Sequence, residues 1–455
     1  MSKLQGRNLV GLFVALTLAA GSASATNGYY TTGTGTKSKA QAGAGTANPQ
    51  EVMSLATNPA NIAFVPDSID AGLSIFSPMR DYETSPSLAN GNGGAFTIGP
   101  NRIDSENEFF PIPFVGMNKA LSDVDYLAAA FYARGGMNTK WVGGTASFDP
   151  DGPGPAPVMT FDGTYGGGTA GVDLMQAFLN LTYARKLSDQ FSLGASAIIA
   201  LQRFEARGVS TFAPYTETFA RSGGTVMPKN LSGNGHDMSY GYGASIGLQW
   251  NPVEMFSFAA AYTTKMSMGE FGDYADLFAE EGGFDMPATA TIGIAVKPND
   301  RLALMFDWQE IWYSDVGAVG NPIQNLFNCP SLGGTDFESC LGGNRGAGFG
   351  WEDMSVYKFG ASYQLDDTWT LRGGYSFADQ PIPNDQMTFN ILAPAVMEDH
   401  FSVGFTKKQA GGNEWNLSFM YAPEQTLKGP SNFDPTQTVE FSMHQFELEV
   451  SYSWK

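Results

Sequence analysis

Residues 239–250 read Ser-Tyr-Gly-Tyr-Gly-Ala-Ser-Ile-Gly-Leu-Gln-Trp, and their alternation decides the fold. Successive side chains of a strand point to opposite faces. One face therefore carries Tyr240, Tyr242, Ala244, Ile246, Leu248 and Trp250, the other Ser239, Gly241, Gly243, Ser245, Gly247 and Gln249. The pattern returns at 191–201, where Phe191, Leu193, Ala195, Ala197, Ile199 and Leu201 oppose Ser192, Gly194 and Ser196. It returns again in the last strand, with Phe446, Leu448, Val450, Tyr452 and Trp454 opposite Gln445, Glu447, Glu449, Ser451 and Ser453. Periodicity alone leaves open whether such a face packs a soluble core or meets lipid.

The connections point to lipid. Alternation predicts fourteen strands at about 69–82, 108–118, 125–136, 172–186, 191–206, 237–250, 255–269, 286–297, 301–314, 353–365, 369–378, 397–408, 413–422 and 439–454. Short turns such as Leu187–Gln190, Asn251–Glu254, Pro298–Asp300, Asp366–Thr368 and Gln409–Gly412 alternate with long loops at 83–107, 137–171, 207–236, 270–285, 315–352, 381–396 and 423–438. An even number of antiparallel strands with short turns on one side and long loops on the other is the pattern of an outer-membrane barrel. Closure leaves no unpaired edge in hydrocarbon.

Composition and the N-terminus agree. Lys3 and Arg7, an apolar run from Leu9 to Ala20, and Ala23-Ser24-Ala25 form a secretory leader over residues 1–25, with Thr26 as the mature terminus. No other run approaches the roughly 18 apolar residues of a membrane helix. Charged residues make up 15% of the chain, against about 25% in ordinary soluble domains. The net charge of −20 argues against nucleic acid as a partner. Acidic loops would suit cation bridges to lipopolysaccharide, and a soluble acidic surface accounts for the charge equally well. Cys329 and Cys340 are the two cysteines of an exported chain, which favours a loop disulfide over free thiols. With no histidine near them, they do not suggest a metal site, and no cofactor is expected.

Ahead of the strands, residues 26–67 form a segment of another kind. Residues 33–64 read GTGTKSKAQAGAGTANPQEVMSLATNPANIAF. Small residues dominate Lys37–Ala47; a short helix is expected over Gln50–Ala56, stopped at Asn58-Pro59-Ala60 because proline removes a donor and restricts the residue before it. A compact small-residue segment before a barrel reads as a plug with a gating role. The Ala40, Ala42–Gly45 run and Asn58-Pro59-Ala60 resemble the N-terminal hatch of the FadL-type long-chain fatty acid and hydrocarbon transporters of the outer membrane. Met286-Pro287-Ala288 through Gly293 resembles that family's Leu-Pro-Ala-x-x-x-x-Gly strand opening. Lys358–Tyr363 with Trp369–Tyr375 resembles its Gly-x-x-Tyr, turn, Leu-Arg-x-Gly-Tyr hairpin. The last strand is similar to the C-terminal signal read by the barrel assembly machinery, except that Lys455 follows Trp454. The resemblance implies an all-β, 14-stranded antiparallel transmembrane barrel (residues 68–455), monomeric, with the hatch in its lumen. It also implies passive uptake of hydrophobic molecules from outside, past the hatch and out through the wall.

Candidate sites follow from that expectation. Asn58, Pro59 and Ala60 mark the gate. Phe271, Leu277, Phe278 and Phe284, with Met266 and Met268 at the base of their loop, suit apolar ligands, and loop-to-loop packing explains them as well. Pro111 and Pro113 bring no ladder donors to the second strand; with Gly135-Gly136 ending the third, they predict a lateral opening, unless the prolines merely sit at the strand's loop end. Lys358 and Arg372, beside Asp307, Glu447 and Glu449, would hold a ligand carboxylate or else tie down the hatch. His236, His400 and His444 form no nucleophile–base–orienter set, and no Gly-x-Ser-x-Gly is present. The chain reads as no enzyme. A general porin for polar solutes and, more remotely, an outer-membrane hydrolase are the rival readings.

Overall fold

The computed structural model describes residues 27–149 and 157–455, so the leader at 1–25 lies outside the described residues. The main sheet holds sixteen strands, two of them the short pieces Arg102–Asp104 and Ser267–Met268, which leaves fourteen in the wall. These are β1 (Ser68–Thr84), β2 (Phe110–Ala120), β3 (Asp125–Asn138), β4 (Gly171–Ser188), β5 (Phe191–Arg207), β6 (Asp237–Val253) and β7 (Phe256–Thr263). They continue as β8 (Thr289–Asn299), β9 (Leu302–Ile311), β10 (Met354–Gln364), β11 (Trp369–Ala378), β12 (Asp399–Lys408), β13 (Glu414–Pro430) and β14 (Thr438–Trp454). Every strand pairs antiparallel with its chain neighbours, and β1 pairs β14 from Ile69↔Trp454 to Thr84↔Val439, which closes the ring.

The direction that periodicity leaves open is settled by burial. Tyr240, Tyr242, Ile246 and Trp250 of β6 are exposed, while Ser239, Ser245 and Gln249 are buried. Ile69, Leu73 and Ile75 of β1 are exposed too, with Asp70 and Ser74 buried. The apolar face thus looks outward and the polar face inward, the inverse of a soluble sandwich. Tyr183, Trp250, Tyr363, Trp415 and Trp454 lie exposed near the short turns, as interfacial aromatics do. No helix is long and apolar enough to cross a membrane among the described residues.

Several boundaries shift. Pairing of β13 with β14 runs on to Pro430↔Thr438, so the last long connection shrinks to 431–437. The break expected after Ala422 is a register shift between Ala422 and Gln425, where Pro423 sits without needing to donate. The seventh strand ends at Thr263; its expected continuation leaves the wall, and Met266 bridges Met286. In the hatch, Val52–Ala56 is 3₁₀ and a short helix appears at Thr36–Lys39. Asn58-Pro59-Ala60 does not only end a helix: Asn58 caps a second one, Pro59–Phe64, accepting from Ala60 N at 3.0 Å. Proline is suited to that first position because its missing N–H has no intrahelical partner anyway. Over the long-loop end, Thr97–Ile98, Thr145–Phe148 and Met159–Asp162 form a separate small sheet. Cys329 and Cys340 are joined by a disulfide in the loop between β9 and β10.

Replacing Ile246 with Lys puts a charge on the lipid face near the middle of β6 and should cost about 2–4 kcal/mol of barrel stability. Urea unfolding in bilayers would measure it. A change near zero would mean that this face does not meet lipid.

Candidate functional site

The hatch sits inside the barrel on a floor of glycines. An added Cβ at Gly374 would lie 2.1 Å from the Gln41 carbonyl carbon, at Gly194 2.5 Å from Ala60 N, and at Gly247 2.0 Å from Asn58 Oδ1. Side chains there would occupy the hatch's own volume. Polar wall residues complete the seat. Asn58 Nδ2 donates to Leu248 O at 2.9 Å and Ser192 Oγ to Ala60 O at 3.0 Å. Asp307 Oδ2 accepts from Gly45 N, Thr46 N and Thr46 Oγ1 at 2.8–2.9 Å.

Charge is paired within this seat. Lys37 meets Glu414 at 2.6 Å, and Lys39 bridges Glu447 and Glu449 of β14. Burial works against the Lys39 ammonium, yet the two carboxylates outweigh it and hold its pKa above the usual lysine range. Lys358 and Arg372 also serve the hatch: Lys358 Nζ donates to Thr32 O at 2.9 Å and Arg372 Nε to Gln50 Oε1 at 2.9 Å. Their other donors go to Gln309 and Thr406 on the wall. Of the two arrangements open to these cations, this structure has them tying the hatch. Glu51 is different. Burial chiefly, with Asp70 nearby and against the pull of Lys37, pushes its carboxyl from 4.5 to about 7. Its Oε2 and Asp70 Oδ1 are buried without hydrogen-bond partners among the described residues.

The wall has a break where the prolines and glycines lie. The β2–β3 ladder runs from Ala120↔Tyr126 to Val115↔Phe131 and stops. β2 goes on to Phe110, paired only with β1, where Pro111 faces Ile75 and Pro113 faces Leu73. β3 goes on to Asn138, paired with β4 and shifted in register between Ala133 and Gly135. Phe110–Phe114 and Tyr132–Asn138 are thus facing edges with no ladder between them. The start of the hatch takes up part of that edge: Thr31 N donates to Arg134 O at 3.2 Å and Gly136 N to Tyr29 O at 3.0 Å. Gly135 permits the approach, since a Cβ there would lie 2.3 Å from Tyr29 O. Tyr313 Oη fixes this strap, donating to Asn27 O at 2.5 Å and accepting from Tyr29 N and Tyr30 N.

Among the long loops an apolar cavity of about 40 Å³ is lined by Val172, Phe204, Phe212, Leu277, Phe278, Leu341, Phe349 and Phe389. Leu277 and Phe278 line it directly. Phe284 packs behind Phe278 at 5.0 Å between ring centroids, and Phe271 lies 5.5 Å from Phe204. Met266 and Met268 lie farther down against Gly243 and Gly241 of β6. Sequence reasoning missed Phe204 and Phe212, and also the wall contributed by loop 379–398. There the buried run Phe389–Val396 is a signal, because an apolar run inside a connection must pack on something. At the short-turn end, a vestibule of about 840 Å³ opens between hatch residues Asn48 and Phe64 and turn residues Asp189, Glu254 and Asp300.

The sequence profile of the family described as "Outer membrane protein transport protein (OMPP1/FadL/TodX)" matches residues 13–426. The long-chain fatty acid transport protein of Salmonella typhi is 26% identical over 297 residues, 60% of this chain and 66% of that protein. That of Escherichia coli K12 is 25% identical over 308 residues, 60% of this chain and 67% of that protein. The match therefore spans about two thirds of these relatives. Among solved structures, a Pseudomonas aeruginosa FadL homologue is similar in fold, with TM-score 0.64 and 17% identity over 94% of this chain and 99% of that one. The P. putida toluene transporter TodX gives TM-score 0.58 and 17% identity over 93% and 98%.

Two outcomes test the seat. Gly374→Ala should lift the hatch off β11 and raise leakage of small polar solutes through an intact barrel, read as planar-bilayer conductance. Wild-type conductance would mean the hatch tolerates the side chain. Because the seated Glu51 holds its proton more tightly than the exposed one, its stabilising effect is complete below about pH 4.5 and is lost as pH rises through about 7. Leakage should rise over that window, and Glu51→Gln should flatten the rise.

Proposed function

The chain belongs to the OMPP1/FadL/TodX family of outer-membrane transport proteins, and on that premise we propose that it takes up hydrophobic molecules through a hatch-gated lumen with a lateral exit. It is an integral outer-membrane β-barrel and a transport protein, not an enzyme. The solutes proposed are long-chain fatty acids or hydrocarbons, entering from the long-loop side. Such a solute gains nothing from a water-filled pore; it needs apolar surface above the membrane and a way into lipid that avoids bulk water. The cavity around Phe204 and Phe278 supplies the first. The observation that carries the proposal is the second: the β2–β3 ladder ends at Val115↔Phe131, and the strap of the hatch lies along the open edge. Asn58, Pro59 and Ala60 hold the hatch on β5 and β6 and so act in gating from a distance. We also assign the final strand to recognition by the barrel assembly machinery, the acidic loops to the lipopolysaccharide side, and a monomer as the working unit.

Cells with and without the protein should differ in uptake of labelled oleate or an alkane and not of a small sugar. Pro111→Val with Pro113→Val, by extending the β2–β3 ladder, should lower the apolar uptake several-fold while heat-modifiable gel mobility shows a folded barrel. Dependence of sugar uptake alone would identify a general porin. Unchanged uptake in the folded double variant would remove the lateral exit.

A further inference from the structure

The apolar cavity among the long loops is shut as it stands. Its volume of about 40 Å³ falls well short of the roughly 150 Å³ that a benzene-sized guest fills, so a wall must move before any apolar solute enters. Two lips of that wall meet each other. Leu277 and Phe278 form one and Leu341 the other. Just beyond them, Glu280 N donates to Gly343 O at 3.2 Å and Glu281 N to Gly342 O at 2.9 Å. The Leu341 lip is fixed. Cys340 before it is bonded to Cys329, Leu341 N donates to Tyr215 O at 3.0 Å, and Leu341 O accepts from Glu217 N at 2.9 Å.

The other lip is sprung. The turn Ala279–Gly282 contains two left-handed residues, with φ/ψ of 59°/39° at Glu280 and 56°/38° at Glu281. They are the only adjacent non-glycine residues with positive φ among the described residues. The left-handed region brings Cβ against the following carbonyl oxygen, a cost of roughly tenfold in population for each residue. Such a conformation persists only where its surroundings hold it, and it marks segments that switch. Here the holding is slight. Both glutamates are exposed, and the bonds to Gly342 and Gly343 tie their backbone to the fixed lip. The base of the loop is secured separately, by Phe271 N to Gly282 O at 2.9 Å and by Lys265 to Asp285 at 2.8 Å. The turn can therefore relax without unseating the strands below. We propose that Ala279–Gly282 is a sprung latch on the outer cavity. Breaking its two bonds to the fixed lip lets Glu280 and Glu281 return to ordinary backbone angles and draws Phe278 out of the cavity wall. This rests on the uptake reading above and names the step that admits the solute.

The test is hydrogen exchange of the full-length folded protein in liposomes, read at the amides of residues 280 and 281 as protection factors, beside uptake of labelled oleate by cells. Glycine occupies the left-handed region at no steric cost, so Glu280→Gly with Glu281→Gly should hold the latch shut. Protection should rise by about tenfold or more, and uptake should fall several-fold. Glu280→Ala with Glu281→Ala removes both carboxylates, one of them near Lys265, and keeps the backbone strain, so it should match the wild type in both readings. Unchanged protection in the glycine pair, or an equal rise in the alanine pair, would overturn the latch. Raised protection with unchanged uptake would place the turn off the solute's path and overturn its role in entry. Should the glycine pair fail to fold, Glu280→Asn with Glu281→Asn replaces it, since asparagine also tolerates this region. Absence of apolar uptake by the wild-type protein would instead fail the uptake reading, while the exchange values still decide whether the turn is sprung.

Discussion

A peptide group in hydrocarbon has no water to bond, so each must find another peptide group or a buried polar partner. The closed ladder from β1 round to β14 meets that demand almost everywhere. The interruption between β2 and β3 therefore bears on everything near it. Prolines bring no donors to one edge, and the strap of the hatch bonds part of the other through Arg134 and Gly136. The hatch is thus an obstruction in the lumen and also a substitute for missing wall.

The same logic organises the interior. Glycines on β5, β6, β8, β10 and β11 let the hatch backbone come within contact of the wall, and polar side chains between them satisfy its exposed groups. The hatch needs little hydrophobic core of its own, because the barrel surrounds it. The apolar packing runs from buried hatch residues such as Val52, Met53, Leu55 and Ile62 into the loops above, where Phe204, Phe212, Phe278 and Phe389 come together from one strand and three loops.

Much of this was legible in the chain because strand periodicity is a local signal. Alternation at 239–250 needs only neighbouring residues, and all fourteen wall strands follow from such runs. Boundaries failed where a local breaker had a non-local remedy: Pro423 looks like an end and is absorbed into a bulge paired with β14. Pro59 looks like a stop and starts a helix once Asn58 caps it. Lys358 and Arg372 were readable as inward cations, but whether their partner is a ligand or the hatch depends on how two distant segments nest. Phe204 and Phe212 were hidden for a similar reason. One continues a strand face and the other lies in a loop, and only the folded barrel places them beside Phe278.

The seam of the barrel also constrains how the molecule is made. β1 is the first strand synthesised and β14 the last, and the ring is complete only when they pair. The hatch precedes β1 directly, and its Lys39 and Thr36 bind Glu447, Glu449 and Ser451 on β14. A plug anchored to the closing strand cannot complete these contacts before that strand is in place. The contacts of residues 36–39 with β14 thus lie at the seam itself, so the seating of the hatch and the pairing of the two ends of the sheet depend on the same strand.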